Sequence, residues 1–239
     1  MKKEMSPGFS LIESLISLFL FCVIFLACLS FSQTLQKQFF SLKQEFECNE
    51  TAFFTLDRIK TDLANAGRGL LIPMSMGLLE GIKVEDNKIT ITSKEADIPF
   101  NSNLHSGQTS IELSDTKAVK KNRLICIHDH FQGEIKTIAS IDDRTINLSS
   151  PLQNDYNQLD TTLMIVREVT IYPDPSQPVL RRKVNTSSAQ PLAEDIKDFS
   201  CTYKAETHLA GIQLTLQLDE EKKYACVLSP KNLALAFQD

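Results

Sequence analysis

The sequence predicts an α+β protein: a long N-terminal stalk helix, transmembrane in its first half and amphipathic in its second, packed on an antiparallel β-sheet domain. Three observations predict it. No glycine or proline lies between Gly8 and Gly67, an interval that permits one continuous helix of about 55 residues and ~80 Å. Within it, positions 15–31 carry only Ser17 and Ser30 as polar side chains. Beyond Gly69 the hydrophobic period changes from that of a helix to that of a strand. The boundaries that follow are a leader over 1–8, a transmembrane half over 9–33, an amphipathic half over 34–66 and a β-rich globular domain over 67–239.

The stretch Gly8-Phe9-Ser10-Leu11-Ile12-Glu13 organises the N-terminus. From Phe9 to Phe31 a helix rises roughly 35 Å, enough to cross a hydrocarbon layer of about 30 Å. A secretory signal has its small-residue cleavage site after the apolar run, whereas Gly8 stands before it. Cleavage at Gly8 would leave the helix on the mature chain. Lys2 and Lys3 ahead of the run place the N-terminus in the cytoplasm and the remainder in the periplasm or outside. Glu13 needs a reason, because a carboxylate in a spanning helix costs up to about 3 kcal/mol, less near an end. It either lies at headgroup depth or is neutralised by a cation, and cleavage before Phe9 would create an α-amino group that serves.

At these residues the chain resembles the class III signal of type IV pilins and type II secretion pseudopilins: a short basic leader, Gly8, Phe9, then Glu13 five residues into the mature chain, then an apolar helix. The resemblance implies cleavage between Gly8 and Phe9 by a prepilin peptidase, N-methylation of Phe9, and packing into a filament in which Glu13 meets a neighbour's terminus. The partners it implies are other pilins or pseudopilins, the prepilin peptidase/methyltransferase and an inner-membrane assembly platform, for a single-pass inner-membrane protein that later enters a pilus or pseudopilus. The motif covers about the first tenth of the chain.

After Gln33, Phe39, Leu42, Phe46, Phe53, Leu56, Ile59 and Leu63 recur at threes, fours and sevens, opposed by Lys43, Glu47, Glu50, Arg58 and Asp62. This predicts one packing face, for the β domain or for a partner helix in a coiled coil. Gly67 and Gly69 supply the left-handed geometry that ends a helix, with Pro73 beyond. Strands are then expected at 88–93, 109–113, 123–129, 134–141, 145–148, 163–172, 179–184, 196–204, 211–218 and 223–228, separated by Asn, Asp, Ser, Gly and Pro turns. In the clearest, Ile212, Leu214, Leu216 and Leu218 alternate with polar residues. The segments 57–67 and 166–203, with the latter's order of a strand, a Leu-Arg-rich strand, a Leu-Ala connector and a strand ending at Tyr203, are similar to PilW-like minor pilins and J-type minor pseudopilins.

A formal net charge of −5 gives no sign of nucleic-acid affinity. Of six cysteines, Cys22 and Cys28 lie in the apolar run, while Cys48, Cys126, Cys201 and Cys226 fall in the exported part, where disulfides are permitted. Cys201 and Cys226 are a candidate disulfide, one strand apart in sequence, among the three full pairings that four cysteines allow.

Chemistry is thinly signalled. His128 and His130 share a strand face, but two imidazoles without a third ligand do not make a metal site. Asp142, Asp143 and Asp174 lack the spacing of a calcium loop. Arg181-Arg182-Lys183 splits between the faces of a strand and reads as a solvated edge. No nucleophile motif, phosphate loop or cofactor motif occurs, so the expectation is a non-enzymatic protein with no metal or cofactor. The functional expectation is a minor pilin initiating or capping a type IV pilus. A minor pseudopilin of type II secretion and an uncleaved membrane-anchored ligand-binding domain are the alternatives.

Overall fold

The computed structural model describes residues 11–216 and 222–234. Helix α1 runs unbroken over Leu11–Ala64, close to the bounds that the glycine-free interval predicts. The chain divides into two compact units, residues 1–50 and 51–239.

In the first unit α1 is exposed along almost its whole length, with Cys48 buried. Leu11, Phe19, Phe25 and Phe31 are each more than half accessible. An apolar surface of that extent is far larger than water tolerates on a soluble protein, and the helix is long and apolar enough to cross a membrane.

In the second unit the remainder of α1 buries Ala52, Thr55, Leu56, Ile59, Asp62 and Leu63. Leu56, Ile59 and Leu63 were expected there, and each such burial contributes about 1.5–3 kcal/mol. Phe53 was expected with them and is 68% exposed. At 100° per residue it stands about 120° round the helix from Ile59. Ala52 and Thr55 join Leu56, Ile59 and Leu63 in the buried stripe instead. Asp62, expected on the solvated side, is buried because Arg182 meets it: Nε and a terminal nitrogen of Arg182 donate to its two oxygens at 2.7 and 2.8 Å.

The helix ends as expected. Gly67 and Gly69 take φ of 70° and 71°, and the Gly67 N–H donates to the Thr92 carbonyl at 2.8 Å, tying the turn to the sheet. A Cβ on Gly67 would lie 2.5 Å from Leu233 Cδ2, so this crossing has no room for a side chain. A short helix α2, Leu71–Ser75, follows.

Among the described residues, twelve strands then form two antiparallel sheets. The larger contains β1 (Ile82–Glu85), β2 (Lys88–Asp97), β3 (Ser110–Glu112), β4 (Leu124–His128), β5 (Gly133–Asp142), β6 (Thr145–Leu148), β7 (Thr162–Pro173), β8 (Leu180–Val184) and β9 (Gln190–Ala193). The smaller is β10 (Ile196–Lys204), β11 (Leu209–Leu216) and β12 (Lys222–Leu228). A last helix, α3, spans Lys231–Ala234. All ten expected strands are present, β6 and β10 at the expected bounds; for β11, expected to reach 218, positions 217 and 218 lie outside the described residues. Strands β1 and β9 were not expected: each has four residues, too few to show a period, and β9 contains Pro191. That proline is tolerated because β9 pairs with β8 alone. Conversely β8, expected at an edge, lies between β7 and β9.

Strand β7 is the spine. One edge pairs with β2 from Met164 to Ile171. The other edge is shared: β4 takes residues 162–165 and β8 takes 169–173. At the vacated level between them, an Arg123 terminal nitrogen donates to the Val166 carbonyl at 3.1 Å, and Asn185 accepts from the Glu168 N–H through Oδ1 while its own N–H donates to the Glu168 carbonyl. Side-chain and loop donors thus satisfy backbone groups that a continuous strand would have paired. Residues 98–165 build a core of their own, with Phe100, Leu104, Ile111, Ile125, Ile138 and Tyr156 among its buried members. Nearby, the buried Glu134 accepts the backbone N–H groups of Gln153 and Asn154 and pairs with Lys136 at 2.8 Å.

The ion pair between α1 and β8 gives a direct test. Arg182→Met leaves the Asp62 carboxylate buried without its partner and should destabilise the β domain by about 3–5 kcal/mol, read as a shift in the urea midpoint of the β-sheet circular dichroism of the detergent-solubilised chain. Asp62→Leu combined with Arg182→Met should recover most of that loss.

Candidate assembly surface

The expected processing residues, Gly8 and Phe9, lie outside the described residues. Glu13 lies in the first turn of α1 and is exposed. There it faces the positive end of the helix dipole, a favourable placement for a carboxylate.

Further along the same helix Phe39, Leu42 and Phe46 are each 64–68% exposed. They recur at threes and fours. The expected packing face is therefore resolved into two stripes by the burial pattern: the stripe of Ala52, Leu56, Ile59 and Leu63 in the second unit, which is covered, and a phenylalanine-rich stripe, which is not. In the second unit Phe53 and Phe54 are both 68% exposed and border a cleft of about 570 Å³ with Leu56, Lys60, Tyr224 and Ala225. This cleft was not foreseen, because it depends on β12 lying beside the helix.

The candidate disulfide is not formed; all six cysteines are thiols. Cys201 on β10 and Cys226 on β12 both sit opposite Ile212 of β11. The strand that separates them in sequence also separates them in the sheet, so their backbones are two strand spacings apart, about 9.5 Å. A disulfide needs Cα atoms within about 7 Å. Burial pushes the Cys201 thiol up to about 11 and raises that of Cys226, which the nearby Lys60 charge partly offsets.

The remaining candidates are absorbed by local structure. His128 is buried at the end of β4, its Nδ1 3.2 Å from the Asp129 carbonyl, while His130 is exposed beyond the strand. The two imidazoles do not share a strand face because β4 stops between them. Among the described residues no three His, Cys, Asp or Glu side chains are gathered as for a metal. Asp142 accepts from Asn147 Nδ2 at 2.8 Å, and Asp143 takes φ of 50° in the β5–β6 turn. Asp174 belongs to a different turn. The Ser176 backbone N–H and hydroxyl, with Arg181, hold its carboxyl down at about 2. The Arg181-Arg182-Lys183 run does split between faces: Arg181 goes to Asp174 and Arg182 to Asp62.

No protein-family model matches the sequence, and no curated protein matches it. Two solved structures are similar over a small part. One is the Gp54 tailspike of Acinetobacter baumannii bacteriophage AP22, in complex with A. baumannii capsular saccharide, at 14% identity and a TM-score of 0.28, covering 32% of this chain and 15% of that one. The other is the tailspike protein gp49 from Pseudomonas phage LKA1, at 16% identity and a TM-score of 0.27, covering 29% and 14%. The chain thus spans about a seventh of either tailspike.

Two measurements follow from these sites. Alkylation after unfolding without reductant should modify both Cys201 and Cys226, and a peptide linking them would contradict the strand register. Because the Asp174 carboxyl is depressed in the folded state, its stabilising contribution is present above the ordinary carboxylate range near 3.9 and is lost only as pH falls through about 2. Carboxylate ¹³C titration should place its midpoint there, and Ser176→Ala should move it upward.

Proposed function

We propose that this protein is a minor subunit of a type IV pilin-like filament, anchored in the inner membrane by α1, processed between Gly8 and Phe9, and incorporated by helix packing to initiate or cap a pilus. The observation that carries the reading is the Gly8-Phe9-x-x-x-Glu13 pattern, which ends in the first turn of a 54-residue helix whose large apolar residues from Leu11 to Phe46 are uncovered. Supporting it, α1 continues without a break from membrane-length apolar sequence into the β domain. That is the form a subunit needs if its stalk is to pack among others while its folded part stays outside the bilayer. In this reading the β domain is periplasmic, the processing partner is a prepilin peptidase/methyltransferase, and Glu13 is neutralised by the N-methylated Phe9 amine of a neighbour.

A minor pseudopilin of a type II secretion system would share the processing and the anchor. It stands as the second reading because segment 166–203 is similar to both subunit types. Production in cells carrying one assembly platform or the other would separate them by which filament contains the protein.

The intact mass of protein extracted from its native membrane provides the test. Loss of residues 1–8 with one methyl group added on Phe9 is the expected result, whereas an uncut N-terminus in cells with an active prepilin peptidase would overturn the proposal. Glu13→Ala should leave membrane insertion unchanged and lower the amount recovered in sheared filaments by about tenfold, as expected if about 1.4 kcal/mol of docking is lost.

A further inference from the structure

The place where β4 and β8 part from β7 is also where positive charge collects on this acidic protein. A cleft of about 600 Å³ opens there, lined by Lys120, Arg123, Arg167, Glu95, Asn185 and Thr186. Three cations face one carboxylate.

The fold builds this cleft deliberately into one level of the sheet. A bulge in β2 falls between Lys94 and Ala96, opposite Ile165 and Val166. Bulges re-aim the extra side chain, and here Glu95 is turned onto the Arg123 guanidinium. Arg123 is buried, spends its terminal nitrogens on Glu95 and the Val166 carbonyl, and keeps an Nε–H with no acceptor among the described residues. Burial raises the Glu95 carboxyl, and the Arg123 hydrogen bond and charge, with Asn185 and Arg167, more than reverse it. Lys120, in contrast, is exposed, and among the described residues neither it nor Arg167 has a carboxylate within ion-pair distance.

We infer that this cleft is a binding site for an oxyanion group, held by Lys120 and Arg167 against a wall already set by the Arg123–Glu95 pair, and that its ligand is the carboxylate side chains of an acidic peptide segment. The volume is that of a ligand cleft. The guanidinium of Arg167 offers a planar fork matched to carboxylate, and Lys120 adds a point charge at the rim. Glu95 already shows which group the wall accepts. The inference does not rest on filament membership, since it concerns only the second unit.

Isothermal titration of the full chain in a non-ionic detergent, with a hexaglutamate peptide as one probe and inorganic phosphate as the other, tests it. The peptide should bind and weaken as salt is raised. Arg167→Ala and Lys120→Ala should each reduce its affinity about tenfold, the loss of one charge-assisted contact, with unfolding midpoints unchanged. Peptide binding that is absent, or is unaltered in both variants, overturns the site. Phosphate binding that is as tight as the peptide and is lost in the same variants overturns the peptide assignment and makes phosphate the source of the oxyanion.

Discussion

The Asp62–Arg182 pair is the contact on which the second unit's geometry depends. It joins residues 120 apart in sequence, one on the last turns of α1 and one in the middle of β8, and both side chains are within a tenth of full burial. Apolar packing alone tolerates rotation of a helix on a sheet, because it is non-directional. A two-point guanidinium–carboxylate contact does not, since sliding by one residue would leave two charges buried and unmet. With that pair in place Ala52, Leu56, Ile59 and Leu63 must face inward, and Phe53 and Phe54 must not.

From the same strand order comes the division of labour within the sheet. Because β7 is longer than either of its neighbours on one edge, two strands share it, and the level between them must be closed by something other than a ladder. Arg123 and Asn185 close it. A sheet that splits in this way exposes the side chains around the split, so the concentration of Lys120, Arg123 and Arg167 in one cleft follows from topology rather than from a basic composition. Residues 98–165, which no sequence resemblance covers, are stabilised by their own apolar cluster, and that core holds β4 at the place where the split occurs.

The first unit obeys different physics. From Leu11 to Glu47 its side chains are uncovered, so nothing among the described residues explains the apolar run, which is long and apolar enough to cross a bilayer. The buried stripe and the phenylalanine stripe of α1 show that a single hydrophobic period can serve two surfaces. The stripe that the second unit covers carries Ala52, Thr55, Leu56, Ile59 and Leu63. The phenylalanines at 39, 46, 53 and 54 stand outside it and stay exposed.

Local features of the chain were determined by the sequence itself. The helix from Leu11 to Ala64 follows from the absence of glycine and proline, its end from Gly67 and Gly69, and the ten expected strands from two-residue alternation, all of which act between near neighbours. Tertiary structure alone decided whatever depends on which strands meet. Asp62 read as solvated until Arg182 was placed against it; Cys201 and Cys226 read as a pair until β11 was placed between them; β8 read as an edge until β9 covered it. The cationic cleft had a partial signal, the run Lys117-Ala-Val-Lys120-Lys121-Asn-Arg123, but Arg167 and Glu95 come from strands far along the chain. Each case turns on non-local pairing, where the period of a segment says which face a residue takes and only the assembled sheet says what stands opposite it.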